Sequence, residues 1–238
     1  MKIALIGYGK MGHIIESIAL QRGHEVVATI DINNQEDFDS EAFASADVAI
    51  EFTRPETAVG NMQRCFERHI PVVVGTTGWH QALPQIEEEC KAQNAALFYA
   101  TNFSLGVNIF LAVNRYMARI MNQFSDYEVS LSETHHIHKL DSPSGTAITL
   151  ANTLLSELDR KQSWAETDTP ANDVLGIKAF RRDEVPGIHT VCYESEVDTI
   201  TFTHDAKSRA GFALGAVVAA EFLAGKQGVY TMGDMLQF

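Results

Sequence analysis

The chain has 238 residues, 45% of them hydrophobic and 21% charged, a composition that supports a globular core and excludes disordered, collagenous and fibrous classes. Eighteen Lys and Arg stand against 31 Asp and Glu, a formal charge of −13 that repels phosphate backbones and anionic membrane surfaces and argues against nucleic acid as a partner. The length admits one large domain or two modest ones, and no uncharged apolar run approaches the roughly 18–20 residues that span a bilayer.

The N-terminal residues reach Gly7 after a few apolar positions and lack the basic, apolar and small-residue segments of a secretory signal, so a cytoplasmic protein is expected. Lys2–Ile6, Val26–Ile30, Val48–Phe52, Val72–Val74 and Ala96–Tyr99 are short apolar runs, as strands covered on both faces are. Between them Met11, Ile14, Ile15, Ile18 and Ala19 recur at helical spacing, and Pro55–His69 and Leu83–Gln93 supply further crossovers. The alternation predicts a parallel sheet with right-handed crossovers. After Asn102 a helix through Val107, Phe110, Val113, Met117 and Ile120 leads to strand-like runs at Tyr127–Ile137, Gly176–Arg181, His189–Glu194 and Thr199–His204, read as an antiparallel sheet. Lys161–Asn172 is polar, holds Pro170 and reads as a surface loop, while Gly211–Leu223 is a small-residue helix suited to close packing. Cys65, Cys90 and Cys192 are far apart and form no C-x-x-C, which predicts free thiols.

Gly7-Tyr8-Gly9-Lys10-Met11-Gly12 is a G-x-G-x-x-G between a predicted strand and a predicted helix. Glycines there allow a tight turn and close approach of backbone to a pyrophosphate at the positive helix start. Asp31 ends the second strand run 19 residues after Gly12, where a carboxylate accepts hydrogen bonds from ribose hydroxyls. Ile32, Asn33 and Asn34 follow, with no Arg to welcome a 2′-phosphate, which points to NADH over NADPH. Gly75-Thr76-Thr77-Gly78 and Ala100-Thr101-Asn102-Phe103 each follow a predicted strand, where ligands of parallel sheets lie.

The densest polar cluster runs from Glu133 to Thr146. His135, His136, His138 and Lys139 form a positive patch able to hold a dianion. Zinc competes as a reading, but strand alternation sends His135 and His136 to opposite faces and no H-E-x-x-H or cysteine partner is present, so no metal is expected. Ser142-Pro143-Ser144 caps an amphipathic helix through Leu158, and Gly145 and Thr146 offer N–H groups and a hydroxyl at its positive end, a seat for a carboxylate.

These motifs, with Phe52-Thr53-Arg54-Pro55-Glu56, Asn102–Asn108 and Ser208-Arg209, resemble the 4-hydroxy-tetrahydrodipicolinate reductase (dihydrodipicolinate reductase) family nearly end to end. The string His-His-x-His-Lys-x-Asp-x-Pro-Ser-Gly-Thr-Ala is specific to that family, whereas the glycine loop is one residue shorter than its usual G-x-x-G-[RK]-M-G and the stretch from Asp31 to Val48 is shorter than in many members. The resemblance implies a Rossmann-type domain, residues 1–102 plus 209–238, interrupted by an α+β substrate and oligomerisation domain, 103–208, with a mixed or antiparallel sheet. It implies NADH- or NADPH-dependent reduction of a small cyclic dicarboxylate in diaminopimelate and lysine biosynthesis. His135 is then the acid/base residue, Lys139 a proton donor and carboxylate-binding cation, and His136, Gly145 and Thr146 substrate contacts. Gly7 to Gly12, including Tyr8, Lys10 and Met11, would hold the cofactor with Asp31, Gly75, Thr76, Thr77, Ala100, Thr101, Asn102 and Phe103. Family members are similar in forming homotetramers. Two alternatives are a non-catalytic NAD(H)-sensing module and another two-domain nicotinamide-dependent dehydrogenase.

Overall fold

The protein, seen in a computed structural model, is described over residues 1–237 and divides into two compact units. The first comprises Met1–Leu105 together with the stretch that begins at Ala210. Its strands β1 (Lys2–Ile6), β2 (Glu25–Ile30), β3 (Val48–Glu51), β4 (Val72–Val74), β5 (Ala96–Tyr99) and β11 (Gly228–Tyr230) form a parallel sheet in the order β11-β5-β4-β3-β1-β2. Alternation along each strand feeds two cores. Ala4, Ile6, Val72 and Val74 meet α2 (Glu41–Ala44), α3 (Pro55–Glu67) and α4 (Leu83–Ala92) through Phe43, Met62, Phe66 and Ile86. Ile3, Leu5, Ile50 and Val73 meet α1 (Lys10–Gln21) and α7 (Ala210–Leu223) through Ile15, Ala19, Ala213, Ala216 and Ala220. The small residues of α7 permit a close approach: a Cβ on Gly215 would fall 1.7 Å from the Phe103 carbonyl oxygen. This is the Rossmann-type arrangement expected, with one strand added. Three residues, with a single β-branched one after a glycine, gave β11 no pattern to read.

The second unit, Gly106–Arg209, begins just inside α5 (Leu105–Met121). Its sheet is ordered β10-β9-β6-β8-β7, from β6 (Glu128–His135), β7 (Ser163–Glu166), β8 (Val174–Arg181), β9 (Ile188–Glu194) and β10 (Thr199–Asp205). The sheet is mixed, one of the two arrangements the resemblance implies, and not wholly antiparallel as the strand runs alone suggest: β6 pairs antiparallel with β9, but β8 runs parallel to both β6 and β7. The chain leaves β6 through α6 (Gly145–Leu155) and returns in the same direction, a crossover that strand patterns alone do not distinguish from a hairpin. The segment 161–172, expected as a loop, contains β7. Its anchor is Lys161, 2% exposed, whose Nζ donates to Glu128 Oε1 at 2.5 Å, to the Asn172 carbonyl at 2.8 Å and to that of Val174 at 3.2 Å. The helix expected to reach Leu158 stops at Leu155, although Leu158 still packs in the core.

β6 positions two of the polar residues. Its inward residues Val129, Leu131, Glu133 and His135 are buried in strict alternation, the first two in the core built by Phe110, Ala118 and Met121 of α5 and Leu150, Ala151 and Leu154 of α6. The same period therefore carries a carboxylate and an imidazole onto a covered face, where both need partners.

Candidate active site

In the first unit the expected cofactor segments all lie at carboxyl ends of parallel strands, around the point between β1 and β3 where the strand order reverses. Gly7 has φ of +93°, and a Cβ there would lie 2.1 Å from the Phe52 carbonyl oxygen; one on Gly12 would lie 2.4 Å from that of Gly7. Nothing lies within 4 Å of the Cβ position of Gly9, so the loop is closed against its own strand and helix but open on its outer side. No side chain caps the start of α1 and no acidic residue occupies its first turn. The cradle and uncapped helix start fit a pyrophosphate. Tyr8 turns onto α1, its hydroxyl donating to Glu16 and its ring centroid 4.1 Å from that of His13. Lys10 is exposed and Met11 half-buried.

Asp31 is exposed at the end of β2, in a turn fixed by its N–H donating to Asn34 Oδ1 at 2.7 Å and by Asn34 Nδ2 donating to the Thr29 carbonyl at 2.8 Å. Thr76 Oγ1 accepts from the Thr53 N–H at 2.7 Å, tying the turns after β3 and β4 together, and Gly75 lies under the Phe52 ring, where a Cβ would fall 2.1 Å from Cζ. Beneath them Glu51 is fully buried and accepts from Thr53 Oγ1 and Asn61 Nδ2; burial pushes its carboxyl above the usual range. Thr77 and Thr101 are exposed and Ala100 is half-buried, while the Asn102 side-chain oxygen accepts from the Ser104 N–H at 2.9 Å. Phe103, expected at the cofactor and in the inserted domain, has its side chain in the first unit's core against Phe52 and Phe98, which leaves only its backbone to meet a ligand.

In the second unit His135 Nδ1 donates to Glu133 Oε2. The other oxygen, Oε1, accepts from the Ser144 N–H at 3.1 Å and from Arg181 Nη1 at 3.2 Å. Burial alone would raise the Glu133 carboxyl; His135, the Ser144 amide and Arg181 outweigh it and hold the carboxyl below its ordinary value. Arg181 also donates from Nη2 to the Asp141 carbonyl at 2.7 Å. Ser144 caps α6, its Oγ accepting from the Ala147 N–H at 3.2 Å, and the same oxygen lies 3.1 Å from His189 Nε2. Gly145 is exposed in the first turn and Thr146 half-buried beside it. Lys139 pairs with Asp141 at 2.8 Å and keeps that carboxyl low, His138 meets Glu184 at 3.1 Å, and His136 Nδ1 is buried without a hydrogen-bond partner among the described residues.

The structure thus brings His135 and the α6 start together through Glu133 and Ser144. The three residues that complete the cluster, Glu133, Arg181 and His189, carry no role in the sequence reading. Glu133 was detectable, since two positions before His135 on a strand is the same face. Arg181 and His189 arrive by register, opposite His135 on β8 and opposite Glu133 on β9. Glu133, His135 and His189 also bring ligand atoms within 4.8 Å of one another, a trio different from the histidines weighed above. Each is already engaged, Glu133 by Arg181 and Ser144 as well as by His135, and His189 by Ser144.

A glycine-cradled turn at the switch point of a parallel sheet, in a chain whose second unit buries a Glu–His pair beside a helix start, defines an NAD(P)H-dependent oxidoreductase. The chain belongs to the dihydrodipicolinate reductase family: residues 1–103 match the family model for the N-terminus of dihydrodipicolinate reductase and 106–236 the one for its C-terminus. It is 49% identical over 236 residues, 99% of this chain and 98% of the relative, to a 4-hydroxy-tetrahydrodipicolinate reductase of Christiangramia forsetii. A Neisseria gonorrhoeae protein of the same name is 34% identical over 93% of this chain and 83% of its own. The fold is similar to that of a dipicolinate-bound dihydrodipicolinate reductase from Paenisporosarcina sp. TG-14, with TM-score 0.78, 19% identity and 98% of each chain covered. No helix among the described residues is long and apolar enough to cross a membrane.

Proposed function

We propose that the protein reduces 4-hydroxy-tetrahydrodipicolinate to tetrahydrodipicolinate at the expense of NADH or NADPH, the 4-hydroxyl leaving as water, in the synthesis of diaminopimelate and lysine. Full-length similarity to curated reductases carries the reading, and the polar cluster of the second unit supplies the chemistry. Reduced nicotinamide, when bound, supplies a hydride to one carbon of a cyclic imine–enamine system. His135 gives a proton to the neighbouring carbon, work suited to a positioned imidazole. Lys139 binds a substrate carboxylate and donates a proton, and His136, Gly145 and Thr146 hold the substrate in place, Gly145 and Thr146 at the positive end of α6.

Gly7 to Gly12, Gly75 to Thr77 and Ala100 to Phe103 hold the cofactor, and Asp31 takes the adenosine ribose. NADH serves at least as well as NADPH, because the Asp31 carboxylate repels a 2′-phosphate and no Arg follows it. The reaction needs no metal. The working protein is a cytoplasmic homotetramer that binds neither nucleic acid nor membrane.

Oxidation of NADH with and without the substrate tests the reading. Turnover only with 4-hydroxy-tetrahydrodipicolinate supports it; tight NADH binding with no turnover indicates a sensing module, and turnover only with a different carbonyl or imine acid indicates another dehydrogenase.

A further inference from the structure

We propose that Glu133 is the positioning residue of His135: its carboxylate turns Nδ1 inward and fixes Nε2 as the atom that gives up the proton, while Arg181 and the Ser144 amide hold the carboxylate itself. The inference rests on the reading of His135 as proton donor and adds a residue that acts through it.

Three features of the site support this assignment. The Glu133 side chain is wholly buried, and an ionised carboxylate persists there only with strong partners. It has an amide and a guanidinium on Oε1 and the imidazole on Oε2. A carboxylate carries no proton, so Nδ1 is the donor in that bond and the ring's other nitrogen is the one left to exchange a proton. His135 Nε2 makes no hydrogen bond among the described residues, and the residue against it is Gly187, whose missing Cβ would sit 2.9 Å away. The strand places Glu133 where it can do this without any loop: positions i and i+2 of β6 share a face, and β8 and β9 on either side deliver Arg181 and His189.

The charges around the ring set the signs. Glu133 on β6 favours the imidazolium, Arg181 on β8 opposes it, Lys139 and Asp141 in the turn before α6 form a pair, and His189 on β9, with His204 beyond it on β10, is held neutral by burial. An acid works only while it holds its proton, so activity falls on the alkaline side; removing the Glu133 charge takes away a partner of the imidazolium, and removing Arg181 takes away a repulsion.

The test is kcat against pH for wild type, Glu133→Gln, Glu133→Asp, Arg181→Met and His135→Ala, with the His135 ring titrated by NMR in the free proteins. Glu133→Gln should lower kcat about tenfold or more and move its alkaline limb down by about one pH unit or more, in step with the ring titration. NADH affinity should not change. Glu133→Asp, which keeps the charge, should recover the limb, and Arg181→Met should move it upward, a result that remains decisive if Glu133→Gln does not fold. If His135→Ala loses turnover while Glu133→Gln keeps kcat within twofold with limb and ring titration in place, Glu133 is structural and the inference fails alone. If His135→Ala itself retains wild-type kcat, the proton-donor reading fails, and the ring titrations still report whether Glu133 governs the imidazole.

Discussion

His189 lies directly across the β6–β9 pairing from Glu133, with Nε2 on Ser144 Oγ at 3.1 Å and Nδ1 buried without a hydrogen-bond partner among the described residues. Burial, helped by the proximity of His135, pushes its pKa down to about 4. The unfolded chain takes up that proton near pH 6.5, so between these values it binds more protons than the folded protein and stability falls as pH falls. At about 1.4 kcal/mol per unit the loss by pH 4 is about 3 kcal/mol. The urea midpoint of wild type should decline from pH 6.5 to 4 and that of His189→Gln decline less. Parallel curves would show that His189 does not carry the acid sensitivity.

Gly187 bounds the other edge of the His135 ring. A methyl group there would meet His135 Nε2 at 2.9 Å and Cδ2 at 3.3 Å, so the ring must move. Gly187 also has φ of +155°, where an L side chain is strained, so Gly187→Ala should lower kcat about tenfold or more and cost about 2–4 kcal/mol of stability. NADH binding, measured by fluorescence, should not change; unaltered kcat would mean that the ring position is not critical.

Lys161 is a stability prediction away from the chemistry. Its ammonium satisfies two carbonyls and Glu128. Lys161→Ala should cost about 2–3 kcal/mol in chemical denaturation, since hydrogen bonds to a buried charge are lost together. Glu128→Ala removes a far more exposed partner and should cost less than half as much. Equal costs would contradict the anchoring role.

Asp31 should govern cofactor choice. Wild type should use NADH at least as well as NADPH, and Asp31→Ala should shift the ratio of kcat/KM values toward NADPH. A wild-type preference for NADPH of tenfold, about 1.4 kcal/mol, would contradict the assignment.

The contrast between the two units shows what a sequence exposes. The glycine turn between strand and helix was legible because Gly7, Gly9, Gly12 and the first strand are contiguous, and the place of Asp31 because it closes the next strand of the same parallel unit. His135 was legible as part of a dense local cluster. Arg181 and His189 were not, because their place beside Glu133 is set by strand pairing across dozens of residues, and register is not written in either strand alone. The parallel return of β8 was hidden for the same reason. Phe103 was read from its strand-end position, and the structure adds that its ring lies in the core, leaving its backbone to meet a ligand.

The most direct test of the account is kcat of His135→Ala with 4-hydroxy-tetrahydrodipicolinate and saturating NADH. A fall of about 10²–10⁴-fold, with a much smaller change in KM and NADH affinity retained, is the predicted result. A folded variant with near-wild-type kcat would contradict it.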